Sequence, residues 1–245
     1  MKLPNMPHYQ FLLLSLALLL GSHQLPAAKE KSQAANQESA IEVTKGPHLS
    51  ENQEHVLHAD HLYVETFGDK AELTMFSKDK FVILTCMDSR IDPAKFAGLA
   101  EGDAYVIRNA GARASDDAIR SITAASKLLG IKEIFVIAHT DCAMEKFTDD
   151  IMRRLYKGSL GLAVQDSHGK WRNVKNDGGS TEAFYIDWLT INHGLRNSVV
   201  MDVRRIRNHP LVSGKITIYG YIYDVHTGKL IPVPEAMRIG KPTKN

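Results

Sequence analysis

The residues of this chain best suited to chemistry fall in two short segments, Cys86-Met87-Asp88-Ser89-Arg90 and His139-Thr140-Asp141-Cys142. Between them they hold the only two cysteines of the protein. Two thiolates and one imidazole make a tetrahedral zinc set that is one ligand short, and a zinc site with an open position is normally catalytic. Asp88 and Arg90 place an acid and a base beside the first cysteine. A disulfide between Cys86 and Cys142 is the competing assignment, favoured in an exported chain, and a pair of inert core thiols is a third. The histidine ahead of Cys142, the acid and base beside Cys86, and the place of both cysteines at strand ends favour zinc.

Two buried strands are needed to bring these segments together. Residues 81–85 form a continuous apolar, β-rich run that ends at Cys86, and residues 133–138 form another that ends at His139. A third strand at 104–108 lies between them in sequence and is closed by the turn Asn109-Ala110-Gly111. Ser115 then caps a helix with Asp116 and Asp117 in its first turn. Ile119, Ile122, Ala125, Leu128 and Leu129 recur along it at helical spacing, and Gly130 stops it. Strand, helix and strand in succession define a βαβ unit and hence a parallel sheet. In an open α/β sheet ligands bind outside the carboxyl ends of the strands, where Cys86, Arg108 and His139 fall.

Further along, residues 147–156 read as a helix and the polar, Gly-rich stretch 158–180 as a loop. Residues 188–207 read as a helix interrupted at His193-Gly194. A strand at 215–224 turns at Thr227-Gly228 into another at 229–233. The expected fold is a single α/β domain with a mostly parallel, five-stranded central sheet flanked by helices and a C-terminal β-hairpin.

Composition limits the remaining options. A chain of 245 residues, 44% of them hydrophobic, can bury one large core. Thirty Lys plus Arg against 28 Asp plus Glu give a net charge of +2, which leaves no electrostatic footprint for nucleic acid. The cluster Arg204-Arg205-Ile206-Arg207 is read as the solvated face of a helix. At the N-terminus, Lys2, an apolar run over residues 11–20 broken only by Ser15, and the small residues of Leu25-Pro26-Ala27-Ala28 read as a signal peptide over 1–28. The run is about half the roughly 20 residues a spanning helix needs, so no stable membrane insertion is expected. Residues 29–54 are polar without apolar periodicity and read as a flexible linker, with the ordered domain over 55–245. The expected location is secreted or in the secretory pathway.

Cys-X-Asp-Ser-Arg followed by His-X-X-Cys resembles the β class of carbonic anhydrases, in particular its short branch. The similarity extends to Phe67-Gly68-Asp69-Lys70, Gly102-Asp103-Ala104, Ile107-Arg108-Asn109-Ala110-Gly111, Asp116-Asp117-Ala118-Ile119-Arg120-Ser121, Phe147-Thr148-Asp149 and Tyr223-Asp224-Val225-His226-Thr227-Gly228, and covers roughly residues 60–233. The resemblance implies one zinc ion per subunit held by Cys86, His139 and Cys142, and reversible hydration of carbon dioxide to bicarbonate and a proton by attack of zinc-bound hydroxide. Hydrolysis of carbonyl sulfide or carbon disulfide on the same scaffold is the alternative, and a non-catalytic zinc protein with a closed site is a further one.

By the same resemblance Asp88 accepts a hydrogen bond from the nucleophile and Arg90 holds Asp88. A second state is also implied, in which Asp88 leaves Arg90 and becomes the fourth ligand. Phe67, Tyr105 and Ala110 are the residues expected to wall a pocket. A homodimer or higher homo-oligomer is implied as well, with residues 54–73 as the helix that packs on the partner. Ala143 departs from the family, which has Gly at that position; Ala fits only if the backbone there is right-handed.

Overall fold

The computed structural model describes residues 49–243. The expected signal peptide and the linker as far as residue 48 lie outside the described residues. The chain divides into two units, one up to Val64 and one from Glu65 onward. The described part of the first is helix α1, Glu51–Glu65, apart from its last residue; the helix starts ahead of the expected residue 55 and buries none of its residues, and Val56, Leu57, Leu62, Tyr63 and Val64 are exposed. The expected long helix over 54–73 therefore ends early. Gly68, at φ +51, opens a separate 3-10 turn, Gly68–Glu72.

The second unit is built on strands β1 (Phe81–Cys86), β2 (Tyr105–Asn109), β3 (Glu133–His139), β6 (Thr217–Tyr223) and β7 (Leu230–Pro232) in the order β2-β1-β3-β6-β7. All neighbours are parallel except β6 and β7, which form the expected antiparallel hairpin. β1 and β3 are apolar along nearly their whole length because both of their faces are covered. β6 alternates instead: Ile218, Gly220 and Ile222 face the core, while Tyr219 and Tyr221 stack with Phe135 on the other side. Gly220 is where α5 (Leu195–Arg207) and α6 (Pro234–Ile239) come closest to the sheet. A Cβ there would stand 2.5 Å from Ala236 Cβ and 2.8 Å from Val199 Cγ1.

Helix α3 (Asp116–Ala124) starts as expected, with Ser115 Oγ accepting from Ala118 N, but it does not continue as an α-helix to Gly130. Its last turn, Ala125–Leu129, is a π-turn whose extra residue rotates Leu128 off the apolar face to 71% exposure. Gly130 then stops it in the left-handed conformation. Two other expectations are corrected. The stretch 158–180 carries a second, two-stranded sheet, β4 (Ala163–Gln165) with β5 (Trp171–Asn173), where Trp171 packs on Phe147. Helix α5 begins only at Leu195, because Gly194 at φ +83 and Leu189 at φ +49 keep the preceding residues out of helical geometry. The shorter helices α2 (Pro93–Ala97) and α4 (Asp149–Gly158) are capped by Asp92 and Thr148.

Candidate metal centre

β1 and β3 are adjacent and parallel, with Thr85 opposite Ile137, so Cys86 and His139 leave the sheet side by side at its carboxyl edge. The loop after His139 returns Cys142 to the same place. The Sγ atoms of Cys86 and Cys142 and a ring nitrogen of His139 all lie within 4.8 Å of one another, and all three residues are buried. Both thiols are free, so the disulfide assignment does not hold.

The donors fit a zinc ion. His139 Nδ1 donates to Thr140 O at 2.9 Å, which fixes the tautomer and leaves the Nε2 lone pair for another partner. Among the described residues Nε2 is one of the few buried polar side-chain atoms with no hydrogen-bond partner. A buried ring nitrogen without a partner is costly, and a cation between two sulfurs and this nitrogen removes the cost. The hydrogen bond from Cys142 lowers the Cys86 thiol, with His139 and the Gly111 N–H acting the same way against burial. That same shared bond, reinforced by burial, raises Cys142. Burial pulls His139 down, but the closeness and the charge of the Cys86 sulfur outweigh it and raise the imidazole. This pattern is that of a set of ligands still sharing protons that a metal would displace.

Asp88 and Arg90 stand beside the three donors. Asp88 Oδ2 is 3.8 Å from His139 Nε2. Arg90 grips Asp88 with both arms of a fork, Nε to Oδ1 at 3.0 Å and Nη2 to Oδ2 at 2.8 Å, and its own N–H donates to Oδ1 at 2.9 Å. The guanidinium hydrogen bonds hold the Asp88 carboxyl well below the usual carboxylate range. Asp141 turns away from the ligands, at φ +56, and is a second carboxylate on Arg90: Nη1 reaches Oδ2 at 3.0 Å and Nη2 reaches the backbone oxygen at 3.0 Å. Lys146 flanks it at 3.6 Å.

Several residues that hold this geometry stand in stretches the sequence marks, but their roles are not legible there. Arg108 Nε and Nη2 donate to the backbone oxygens of Cys86 and Asp88, which fixes the path of the chain between ligand and acid. Gly111 N donates to Cys86 Sγ at 3.3 Å. Thr140 Oγ1 donates to Asp224 Oδ1 and accepts from Val225 N, tying the ligand loop to the turn after β6. Gly111 at φ +83 and Ala112 at φ +60 make two left-handed residues in a row, and for alanine that conformation costs roughly 1–2 kcal/mol.

The expected pocket residues are dispersed. Phe67 is 39% exposed at the start of the 3-10 turn. The Tyr105 hydroxyl is occupied in tying down the chain before β1, donating to Met75 O and accepting from Ser77 N. Of the three, only Ala110 borders a cavity, of about 300 Å³, with Met144, Met152, Trp188 and Leu189, and none of the three donors or Asp88 is in its lining. Ala143 is exposed, opens the 3-10 turn Ala143–Glu145, and is not among the left-handed residues, so the substitution for glycine is unstrained.

This arrangement of a parallel sheet with a Cys-His-Cys cluster and an Asp-Arg pair at its carboxyl edge matches a known family along most of the second unit. Residues 81–230 match the family model of the carbonic anhydrases. The chain belongs to this family, in its β class, whose members use zinc. It is 34% identical over 163 residues to β-carbonic anhydrase 1 of Mycobacterium tuberculosis, covering 66% of this chain and 87% of that protein. It is 36% identical over 163 residues to a carbon disulfide hydrolase of Saccharolobus solfataricus, covering 60% and 74%. Among solved structures, the carbonic anhydrase from Glaciozyma antarctica matches with a TM-score of 0.64 at 35% identity, covering 76% of this chain and 99% of that one.

Proposed function

We propose that this protein catalyses the reversible hydration of carbon dioxide to bicarbonate and a proton, with zinc held by Cys86, His139 and Cys142. The observation that carries the reading is the commitment of both Asp88 oxygens to Arg90 while Oδ2 remains beside His139 Nε2. An Asp88 held in this way by Arg90 supports an open fourth position over a closed, non-catalytic site. Zinc with three protein donors supplies a Lewis acid that makes water a nucleophile near neutral pH. Asp88, kept ionised by Arg90, can only accept: it would take a hydrogen bond from the nucleophile and so orient it toward the carbon of the substrate. Arg90 is restrained in turn by Asp141, so the acid is aimed from a fixed base.

Hydrolysis of carbon disulfide or carbonyl sulfide is the second reading, supported by the relatives named carbon disulfide hydrolase at 36%, 35% and 32% identity. Stopped-flow carbon dioxide hydration and hydrogen sulfide release from both sulfur substrates, measured on one zinc-loaded preparation, separate the two. Fast hydration with no sulfide supports the first reading, and sulfide release without hydration overturns it. A homodimer is part of the proposal, supported by the exposed apolar residues of α1; light scattering tests it. Export is proposed from residues 1–28, and N-terminal sequencing of the secreted protein tests it. No helix among the described residues is long and apolar enough to cross a membrane.

A further inference from the structure

The turn between β2 and α3 carries the Gly111 N–H that donates to Cys86 Sγ, and it contains a strained residue. Ala112 is fully buried and left-handed, immediately after the left-handed Gly111. Something must hold such a turn closed, because an alanine released from it relaxes to a right-handed or extended backbone. Part of the restraint is local: Asn109 Nδ2 donates to Arg113 O at 2.7 Å, and Arg113 N donates to Asn109 Oδ1 at 2.8 Å.

The other part comes from across the fold. The Arg113 side chain turns inward, 6% exposed, and meets Asp202 of α5, 4% exposed, with Nε to Oδ2 at 2.7 Å. Ala114 N donates to Asp202 Oδ1 at 3.0 Å, so the same carboxylate also holds the backbone just beyond the strained residue. Arg113 Nη1 donates to the backbone oxygens of Leu189 and Thr190. Burial pushes the Asp202 carboxyl up, and Arg113 acts against it. The mechanism uses neither Arg113 nor Asp202, and one buried ion pair with this many committed donors is a specific arrangement rather than general stabilisation.

We propose that the Arg113–Asp202 pair is a clamp that holds the strained Gly111–Ala112 turn closed, so that the Gly111 N–H stays on the Cys86 thiolate and sets how tightly and how electron-richly that thiolate binds the metal. Arg113 and Asp202 are thus positioning residues of the metal centre, acting through a backbone donor. Hydrogen bonds to a ligand sulfur reduce its electron donation, so opening the turn changes the metal–sulfur bond as well as the affinity. The inference rests on metal binding at Cys86, His139 and Cys142, and not on the identity of the substrate.

The test loads the protein with an NMR-active cadmium isotope and looks for scalar coupling between the metal and the Gly111 amide proton through Cys86 Sγ. The wild-type protein shows that coupling; in Asp202→Asn it is lost, zinc affinity falls by about 10- to 100-fold, and the cobalt-loaded form shows its sulfur-to-metal charge-transfer band shifted to lower energy. Ala112→Gly, which removes the strain that the clamp resists, restores the coupling, the band and most of the affinity when added to Asp202→Asn. A pair that merely stabilises the fold would lower the melting temperature of Asp202→Asn without moving the band, and Ala112→Gly would not rescue it. A metal-loaded wild-type protein with no coupling to Gly111 overturns the proposal, as does a folded Asp202→Asn with unchanged affinity and band, a double variant that is not rescued, or a failure of both variants to fold. A wild-type protein that binds no metal at these ligands overturns the metal reading itself.

Discussion

Replacing Thr140 with valine removes one hydroxyl from the ligand loop and changes little else in shape. That hydroxyl donates to Asp224 Oδ1 at 3.3 Å and accepts from Val225 N at 3.1 Å, while the Thr140 backbone oxygen takes the proton of His139 Nδ1 at 2.9 Å. Thr140 N donates to Tyr223 O, so the loop keeps one backbone tether without the hydroxyl. A buried donor left without an acceptor costs about 1–3 kcal/mol. Val225 is half-buried and water can replace part of the loss, so the expected cost is about 1 kcal/mol, a fall of about 2–4 °C in Tm for a protein of this size. The metal feels it as well, because the Thr140 carbonyl that orients His139 is then free to shift. The expected loss is about tenfold in zinc affinity, the low end for such outer contacts. Zinc competition against a chromophoric chelator and melts of the metal-free and zinc-loaded forms measure the two effects, with Thr140→Ser, which keeps the hydroxyl, as the control. If Thr140→Val lowers the melts of both forms equally and binds zinc as tightly as Thr140→Ser, the loop does not transmit to His139 and the reasoning fails.

Three more outcomes follow from the packing and the charges. Gly220→Ala drives a methyl against Ala236 Cβ and Val199 Cγ1, neither of which is the end of a flexible side chain; the expected destabilisation is about 2–3 kcal/mol, read in chemical denaturation, and an unchanged midpoint would contradict the close approach of α5 and α6. Ala143→Gly restores the residue of the family, yet it should leave hydration unchanged and lower stability slightly, by about 0.5–1 kcal/mol at most, because Ala143 is unstrained and exposed; a clear gain in rate would show that alanine obstructs the site. Arg90 lowers the Asp88 carboxyl below its ordinary 3.8, so the stability it contributes is fully present above that pH and disappears as pH falls through the lower folded value. The stability difference between wild type and Asp88→Asn should therefore stay constant from neutral pH down to about 4 and shrink only below it; a difference that already narrows between about pH 7 and 5 would mean that the pair is not held as the structure shows.

The parallel sheet was legible because β1 and β3 are covered on both faces, which forces unbroken apolar runs, and because Ser115 and Gly130 mark helix ends by the hydrogen bond and the backbone angle those types supply. What escaped was structure too short or too irregular for periodicity to register. β4 and β5 have three residues each, less than two full alternations. The π-turn at Ala125–Leu129 keeps the apolar spacing of a helix in sequence while turning Leu128 into solvent. Residues 188–194 run straight into the amphipathic pattern of α5, but Arg113 takes the Leu189 and Thr190 carbonyl oxygens, a contact with a residue far away in sequence.

The same division runs through the metal centre. Zinc chemistry demands particular side chains, so Cys86, His139 and Cys142, with Asp88 and Arg90, announce themselves by type and order. The parts that aim them are backbone groups and ordinary residues: the Gly111 N–H, the Thr140 carbonyl, Arg108 on two peptide oxygens, Asp141 on Arg90. Some of them are marked by backbone conformation: Gly111 and Asp141 both have positive φ. Of the four non-glycine residues with positive φ among the described residues, Ala112 lies in the turn on Cys86, Asp141 lies between two ligands, and Leu189 is bound by Arg113. Strain of this kind persists only where surrounding contacts impose it. Ala112 and Asp141 thus stand next to the donors in backbone conformations that tertiary contacts hold, so the local motifs name the ligands while contacts from elsewhere in the fold fix how they are aimed.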